Sequence, residues 1–350
     1  MKEEMTVKIL EAYFKPAYLL KSAILIPMHA GRAVAGDVST YGSVSSKEIE
    51  WMYKNTIGDD TGENVSALNR NLCEFTVQYW AWKNYDKLGN PEYIGFSQYR
   101  RHLILNENAF SGYSRSNMEK AYSMFHFFYP FKNYLRQIGF TDEYIKDTLK
   151  EYDIILPIET DFSLIGISNL RDDYEKKIEG SHVADFDLMH RILKEHYPEM
   201  SEFIERQNTS PHKFSYMTYV VPKKVFFDYM EFAWPVIEEL MEKIDVSEYS
   251  VNGKRTLGYL IEFLADCYFH FIQSQNKYRI KYANVTFIEK SLTEEELNKR
   301  VSEIFYKYLH MVRYKIMIKI TIGKKRKKYK EKYKALKEEV KLLKGIRGEI

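Results

Sequence analysis

Arg100 and Arg101 stand side by side, separated by three residues from the apolar segment Tyr93-Ile94-Gly95-Phe96. A strand that ends in adjacent arginines suits anion binding. Each planar guanidinium matches two phosphate oxygens, and ligands of open α/β sheets bind beyond strand carboxyl ends. The competing reading is a solvated pair at a strand end. Upstream lies an acidic, glycine-bearing loop, Gly58-Asp59-Asp60-Thr61-Gly62-Glu63-Asn64. Asp, Thr and Ser are helix-capping residues, and Ser66 is read as such a cap. The loop is longer than a cap requires, which makes Asp60 and Asn64 candidate ligand contacts. Earlier still, Pro27-Met28-His29-Ala30-Gly31-Arg32-Ala33 follows the apolar Ile24-Leu25-Ile26. Gly31 permits close backbone approach to a ligand, and His29 and Arg32 offer donors.

Carboxylates for proton transfer or metal binding come later in the chain. Asp185-Phe186-Asp187 is its single Asp-x-Asp, hard oxygen ligands of the kind a divalent cation takes. A helical pattern (Leu188, Ile192, Leu193) follows it and no strand precedes it, so Asp185 reads as a helix cap, with a metal at Asp185 and Asp187 the runner-up. Glu262 lies off the buried stripe of a strongly helical segment, Thr256–Gln273. Gly258, one turn before it, leaves room for a substrate. Asp266, one turn after it, is a like charge at i+4, a spacing that raises the pKa of one member and suits a general base. The bland reading is an exposed helix with two ordinary carboxylates. Neither GxGxxG nor GxxxxGK[ST] occurs, so no dinucleotide fingerprint or P-loop is indicated.

The elements that must position these residues alternate between strands and helices. Val7–Tyr13, Ile24–Ile26, Tyr93–Phe96, Tyr152–Leu156, Phe214–Val221 and Tyr278–Ile288 read as strands. Leu68, Leu72, Phe75, Tyr79 and Trp82 step by four and three, which predicts one continuous helix face; Trp80 and Trp82 read as core or cleft wall. Pro235 inside Lys223–Ile244 predicts a kink or restart. An aromatic cluster (Phe125, Phe127, Phe128, Tyr129, Phe131) either lines an acceptor site or packs over the sheet. The fold class is α/β, a central mixed sheet flanked by helices. At 350 residues the chain can bury roughly 75% of its unfolded surface in a large core. An aromatic fraction of 15% excludes a disordered chain. Two cysteines, Cys73 and Cys267, make no disulfide framework; both read as buried thiols in a reducing compartment. Residues 1–10 carry no signal segment, and no run is apolar enough to span a bilayer.

The order GDDTGENVS, N-x-N-x-CE-x-T-x-x-YWAWKN, YIGF-x-x-YRR resembles a family described only as a domain of unknown function (DUF4422-type). That family recurs in bacterial capsule and exopolysaccharide loci. The resemblance extends to PMHAGRA at Pro27–Ala33, YDIILP at Tyr152–Pro157, His182-x-x-Asp185 and GYLIEFL at Gly258–Leu264, so it covers about residues 6–275. It implies a GT-A-like glycosyltransferase with a nucleotide-diphosphate sugar donor, a UDP-sugar foremost. His29, Gly31, Arg32, Asp60, Asn64, Arg100 and Arg101 would then bind the donor, and Glu262 would take the acceptor proton with Asp185 as the next candidate. The place of the usual metal-binding Asp-x-Asp falls on Ser97–Arg101. Arginine neutralisation of the diphosphate is therefore expected, with Mn2+ or Mg2+ at Asp185 and Asp187 the alternative. Gln98 stands where the family usually has His, and Phe14-Lys15 where it often has His-Lys. These departures, with the misplaced Asp-x-Asp, leave a non-catalytic glycan- or nucleotide-sugar-binding protein as the second hypothesis.

The net charge of +3 hides an asymmetry, because residues 301–350 hold 16 Lys and Arg against 5 Asp and Glu. Two parts are expected: a glycosyltransferase-like domain over 1–290 and a basic, amphipathic helical tail over 291–350. Ile304–Ile322 mixes apolar residues with cations and suits the plane of a membrane interface. The run Lys324-Lys325-Arg326-Lys327-Lys328 attracts anionic lipids. A solvated or coiled-coil tail and nucleic acid are the alternatives, the last least favoured. The expected partners are thus donor, glycan or lipid-linked acceptor and anionic membrane surface. The expected location is cytoplasmic, peripheral on the inner face of the plasma membrane.

Overall fold

The computed structural model describes residues 5–36, 44–127, 133–177, 180, 182–289 and 293–344. Among the described residues eleven strands form: β1 Val7–Tyr13, β2 Leu25–His29, β3 Ile57–Gly58, β4 Tyr93–Gln98, β5 Leu103–Ile104, β6 Met124–Phe127, β7 Ile154–Pro157, β8 Thr160–Asp161, β9 His212–Lys213, β10 Tyr219–Pro222 and β11 Ile280–Ile288. Nine of them make one mixed sheet in the order β3-β2-β1-β4-β10-β7-β11-β5, with β6 also on β11; β8 and β9 pair separately. The expectation of a central mixed sheet holds. Strands β2, β1 and β4 are parallel, and β10 runs antiparallel between β4 and β7.

Helices cover both faces of the sheet. Alternation along β1 sends Leu10 and Ala12 to one core, with Met28, Phe96 and Tyr219, and Val7 and Ile9 to the other. The first core is roofed by α3 Phe75–Lys83, α8 Val183–His196, α10 Lys223–Lys243 and α11 Thr256–Ser274. The second is closed by α5 Tyr134–Ile138 and α6 Asp142–Glu151. Shorter helices complete this part: α1 Ser46–Asn55, α2 Asn69–Leu72, α4 Asn117–Ala121, α7 Leu170–Lys177 and α9 Ser201–Thr209. Each fully buried Leu, Ile or Phe contributes roughly 1.5–3 kcal/mol, and Leu10, Phe226 and Leu264 are all fully buried.

Several expected elements differ. The helix expected through Leu68–Trp82 is broken, because Cys73 adopts φ 52, which ends α2 before α3 begins. Leu68 is consequently exposed instead of buried. The strand expected over Phe214–Val221 is shortened, since Tyr216 and Met217 take positive φ (78 and 48) before β10 starts. Pro235 lies inside α10, which continues through it without restarting. Ser66 caps no helix: its hydroxyl donates to Asp59 and accepts from Ala33 N–H. The stretch 128–131 of the aromatic run and the tail's end at 345–350 lie outside the described residues.

Two further helices follow β11, α12 Glu294–Ile320 and α13 Gly323–Lys344. They fold back on each other, with Met311 and Val340 buried and Lys307 Nζ 2.6 Å from Glu339 Oε2.

Candidate active site

β1 lies between β2 and β4, and all three run parallel. Connections therefore leave in opposite directions on either side of β1, the topological switch at which α/β sheets bind ligands. At the carboxyl ends of β2 and β3, Asp59 is fully buried. Its carboxylate accepts from Gly31 N (2.8 Å), Arg32 N (3.1 Å), Ser66 Oγ (2.5 Å) and Thr76 Oγ1 (2.6 Å). Asp59 thus ties the loop after β2 to α3. Asp60, the neighbour singled out from the sequence, instead pairs with Arg32, Nε to Oδ1 2.6 Å. Each therefore neutralises the other, and Arg32 also lies over the Tyr53 ring. A side chain at Gly58 would run into that guanidinium at 2.0 Å, so the ion pair needs glycine there. Asn64 accepts from Ser66 N and donates to Gly62 O, building its own loop.

His29 closes β2 and is 3% exposed, with Nδ1 lacking a partner among the described residues. Burial, and then the Arg32 cation, lower its pKa to about 4. The imidazole is therefore neutral near pH 7. A buried, unpaired ring nitrogen at a switch point calls for a hydrogen-bonding partner.

On the other side of the switch, Arg101 Nη1 donates to Gln98 Oε1 at 2.8 Å, and Gln98 Nε2 donates to Glu74 Oε1. The carboxamide of Gln98 therefore links a cation and a carboxylate, accepting from one and donating to the other. Burial raises the pKa of Glu74, and the charge of Glu262 adds to it; Arg101 and Arg255 pull the other way. Glu262 faces this group from α11, with Lys213 Nζ 3.1 Å from its Oε2. Burial alone would lower the Lys213 ammonium, but Glu262 and Asp173 outweigh it and raise its pKa. Arg101 lies over the Tyr216 and Phe287 rings and Arg100 over Tyr99 and Phe287. Arg101 and Glu262 thus belong to one electrostatic group with Glu74, Lys213 and Tyr216.

Beneath the arginines is a buried relay that the sequence did not single out. His102 Nε2 lies 2.6 Å from Glu11 Oε1 and Nδ1 2.8 Å from Tyr134 Oη, which meets Thr286 Oγ1 at 2.5 Å. Ser97 Oγ also donates to Glu11. These contacts fix the turn carrying Arg100 and Arg101 to β1 and β11. A glutamate between Leu10 and Ala12 in an apolar strand was the available signal.

Other expected features are rearranged. A Cβ at Gly258 would meet Cys73 Sγ at 2.6 Å, so this glycine allows close packing of α11 on α2 and leaves no substrate space. Asp266 is not exposed: it is buried, accepts from Phe214 N and Gln207 Nε2, and sits 3.2 Å from His270 Nδ1. Asp185 is not the cap of α8, whose N-cap is His182. It accepts from Tyr249 Oη and Thr256 Oγ1. Asp187 is held by Arg171 through two hydrogen bonds. With their oxygens engaged by different partners, Asp185 and Asp187 do not fit a divalent cation. Among the described residues no group of three His, Cys, Asp or Glu side chains could hold one.

The chain belongs to the family described as a domain of unknown function (DUF4422), whose model matches residues 8–277. Among solved structures it is similar to the apo structure of WbbM, a bifunctional glycosyltransferase, with a TM-score of 0.69 and 28% identity. That match covers 82% of this chain and 46% of the WbbM chain, so this chain corresponds to less than half of it. No curated protein matches.

Proposed function

We propose that the protein is a glycosyltransferase with a GT-A-like site, which moves a sugar from a nucleotide-diphosphate donor, a UDP-sugar foremost, to a glycan acceptor. The observation that carries this reading is the single group formed by Arg101, Gln98, Glu74 and Glu262 at the carboxyl end of β4. The likeness to a glycosyltransferase structure supports it. In this reading His29 and the Gly31 loop hold the nucleoside, with Arg32, Asp60 and Asn64 shaping that loop. Arg100 and Arg101 face the diphosphate. The acceptor oxygen attacks the anomeric carbon while its proton passes to the Glu262 carboxylate. The bond from that carbon to the diphosphate oxygen breaks, and the charge left on the diphosphate is neutralised by the arginines.

The acceptor is a growing, lipid-linked capsular or exopolysaccharide glycan, and the protein works in the cytoplasm as a peripheral protein at the inner face of the plasma membrane. A second reading, a nucleotide-sugar-binding protein without turnover, is favoured by one observation, the engagement of Glu262 by Lys213. Screening nucleotide sugars against the purified chain with a lipid-linked acceptor separates the two. Released nucleoside diphosphate supports transfer, whereas thermal stabilisation by nucleotide without release supports binding alone.

A further inference from the structure

α12 spans 27 residues, about 40 Å of helix, and its two long faces differ. Met311 and Tyr314 point at α13: Met311 is buried and Tyr314 meets the Tyr329 ring at 6.0 Å. On the opposite face Phe305, Leu309, Val312, Ile316 and Ile320 follow one another by four, three, four and four residues, which keeps them on one side. They are 60%, 51%, 54%, 54% and 70% exposed. Folding against α13 thus leaves a continuous apolar stripe uncovered, more than scattered surface residues explain.

The charge around the stripe says what covers it. Residues 304–330 contain ten Lys and Arg and no Asp or Glu. By helical geometry Arg313 borders the stripe on one side and Lys315 and Lys319 on the other. At the end of α12 the chain turns at Gly323, φ 62, and α13 begins with Lys324–Lys328, all exposed. A second copy docking stripe to stripe would bring ten cations against ten. Nucleic acid would meet the cations but leave the aliphatic stripe in water. An anionic lipid surface meets both, phosphates against the cations and acyl chains against the stripe. No helix among the described residues is long and apolar enough to cross a membrane, so the hairpin would lie in the interface plane.

We infer that the α12–α13 hairpin is a membrane-docking device, inserting the Phe305–Ile320 stripe into an anionic lipid surface. Its purpose rests on the proposed lipid-linked acceptor; the attachment stands on the geometry of α12 alone.

The test is cosedimentation of the full chain with vesicles of phosphatidylcholine alone and with phosphatidylglycerol added, for the parent and for Leu309→Glu combined with Ile316→Glu. Both positions are exposed, so the variant should keep its circular dichroism and its turnover of a soluble donor. The parent should bind the anionic vesicles at least tenfold better than neutral ones, and the variant should lose at least tenfold of that binding. Undiminished binding by the variant, or equal binding to both vesicles, overturns the inference. So does a parent that binds no vesicle but forms a dimer the variant cannot form, or one that binds only RNA. Since soluble turnover is read separately, failure of docking and failure of the glycosyltransferase reading are distinguishable.

Discussion

Lys213 Nζ lies 3.1 Å from Glu262 Oε2, and its side chain is 6% exposed. A buried ammonium on β9 therefore holds the proposed catalytic carboxylate in place. Removing one partner of a buried pair leaves the other charge uncompensated, typically at about 3–5 kcal/mol. Lys213→Met should lower stability by an amount of that order, read from urea denaturation. A midpoint unchanged from the parent would mean that the ammonium holds nothing.

Arg100 and Arg101 should each contribute to diphosphate affinity. Replacing either by Ala should weaken nucleoside diphosphate binding by roughly 1.5–3 kcal/mol, the scale of a charge-assisted hydrogen bond, while nucleoside affinity hardly changes. Titration calorimetry with both ligands checks this. Normal diphosphate binding by both variants removes the arginines from the donor site.

Asp59 and Asp60 should behave as opposites despite being neighbours. Asp59 accepts four hydrogen bonds while fully buried, and bonds to a charged group contribute about 1.5–3 kcal/mol each. Asp59→Asn keeps the shape but turns one oxygen into a donor, so a loss of about 2–4 kcal/mol is expected. Asp60, in a partly exposed pair, should cost under about 1 kcal/mol. Equal losses in denaturant melts would contradict the assigned roles.

His270 gives the fold a pH dependence. Burial lowers its pKa, but Asp266 and Glu159 outweigh this and raise it to about 9. A raised pKa stabilises fully below the unfolded value near 6.5 and progressively less as pH climbs towards 9. Burial raises the Asp266 pKa, but His270 and Arg206 outweigh this and hold it below its ordinary value, so its contribution is present above about 4 and fades in acid. Stability should fall by on the order of 3 kcal/mol between about pH 6.5 and 9. His270→Gln should flatten that slope. Parallel pH profiles for parent and variant would refute the linkage.

The sheet was legible because its buried strands are short apolar runs: Val7–Tyr13, Tyr93–Phe96 and Ile154–Leu156 lie within or near β1, β4 and β7. The family was legible because its central motif is long. The break at Cys73 was hidden, since nothing in a cysteine announces φ 52, and the four-three spacing on either side continues through it. Asp59 and Asp60 carry the same chemistry one residue apart, and only the fold decides which turns inward. Glu262 was singled out by its place off the apolar stripe, but the cation beside it was not, because Lys213 lies 49 positions away. Glu11 and His102 were passed over for the same reason: a buried hydrogen-bonded pair is a property of two distant positions.

Glu262 is the group proposed to take the acceptor proton. Glu262→Gln keeps the side-chain shape and removes the base, so the decisive measurement is nucleoside diphosphate release under saturating donor and acceptor, parent against variant. General-base catalysis supplies about 10²–10⁴-fold, and a fall of that size with donor affinity unchanged by calorimetry is the predicted result. Transfer by the variant at the parental rate would contradict it.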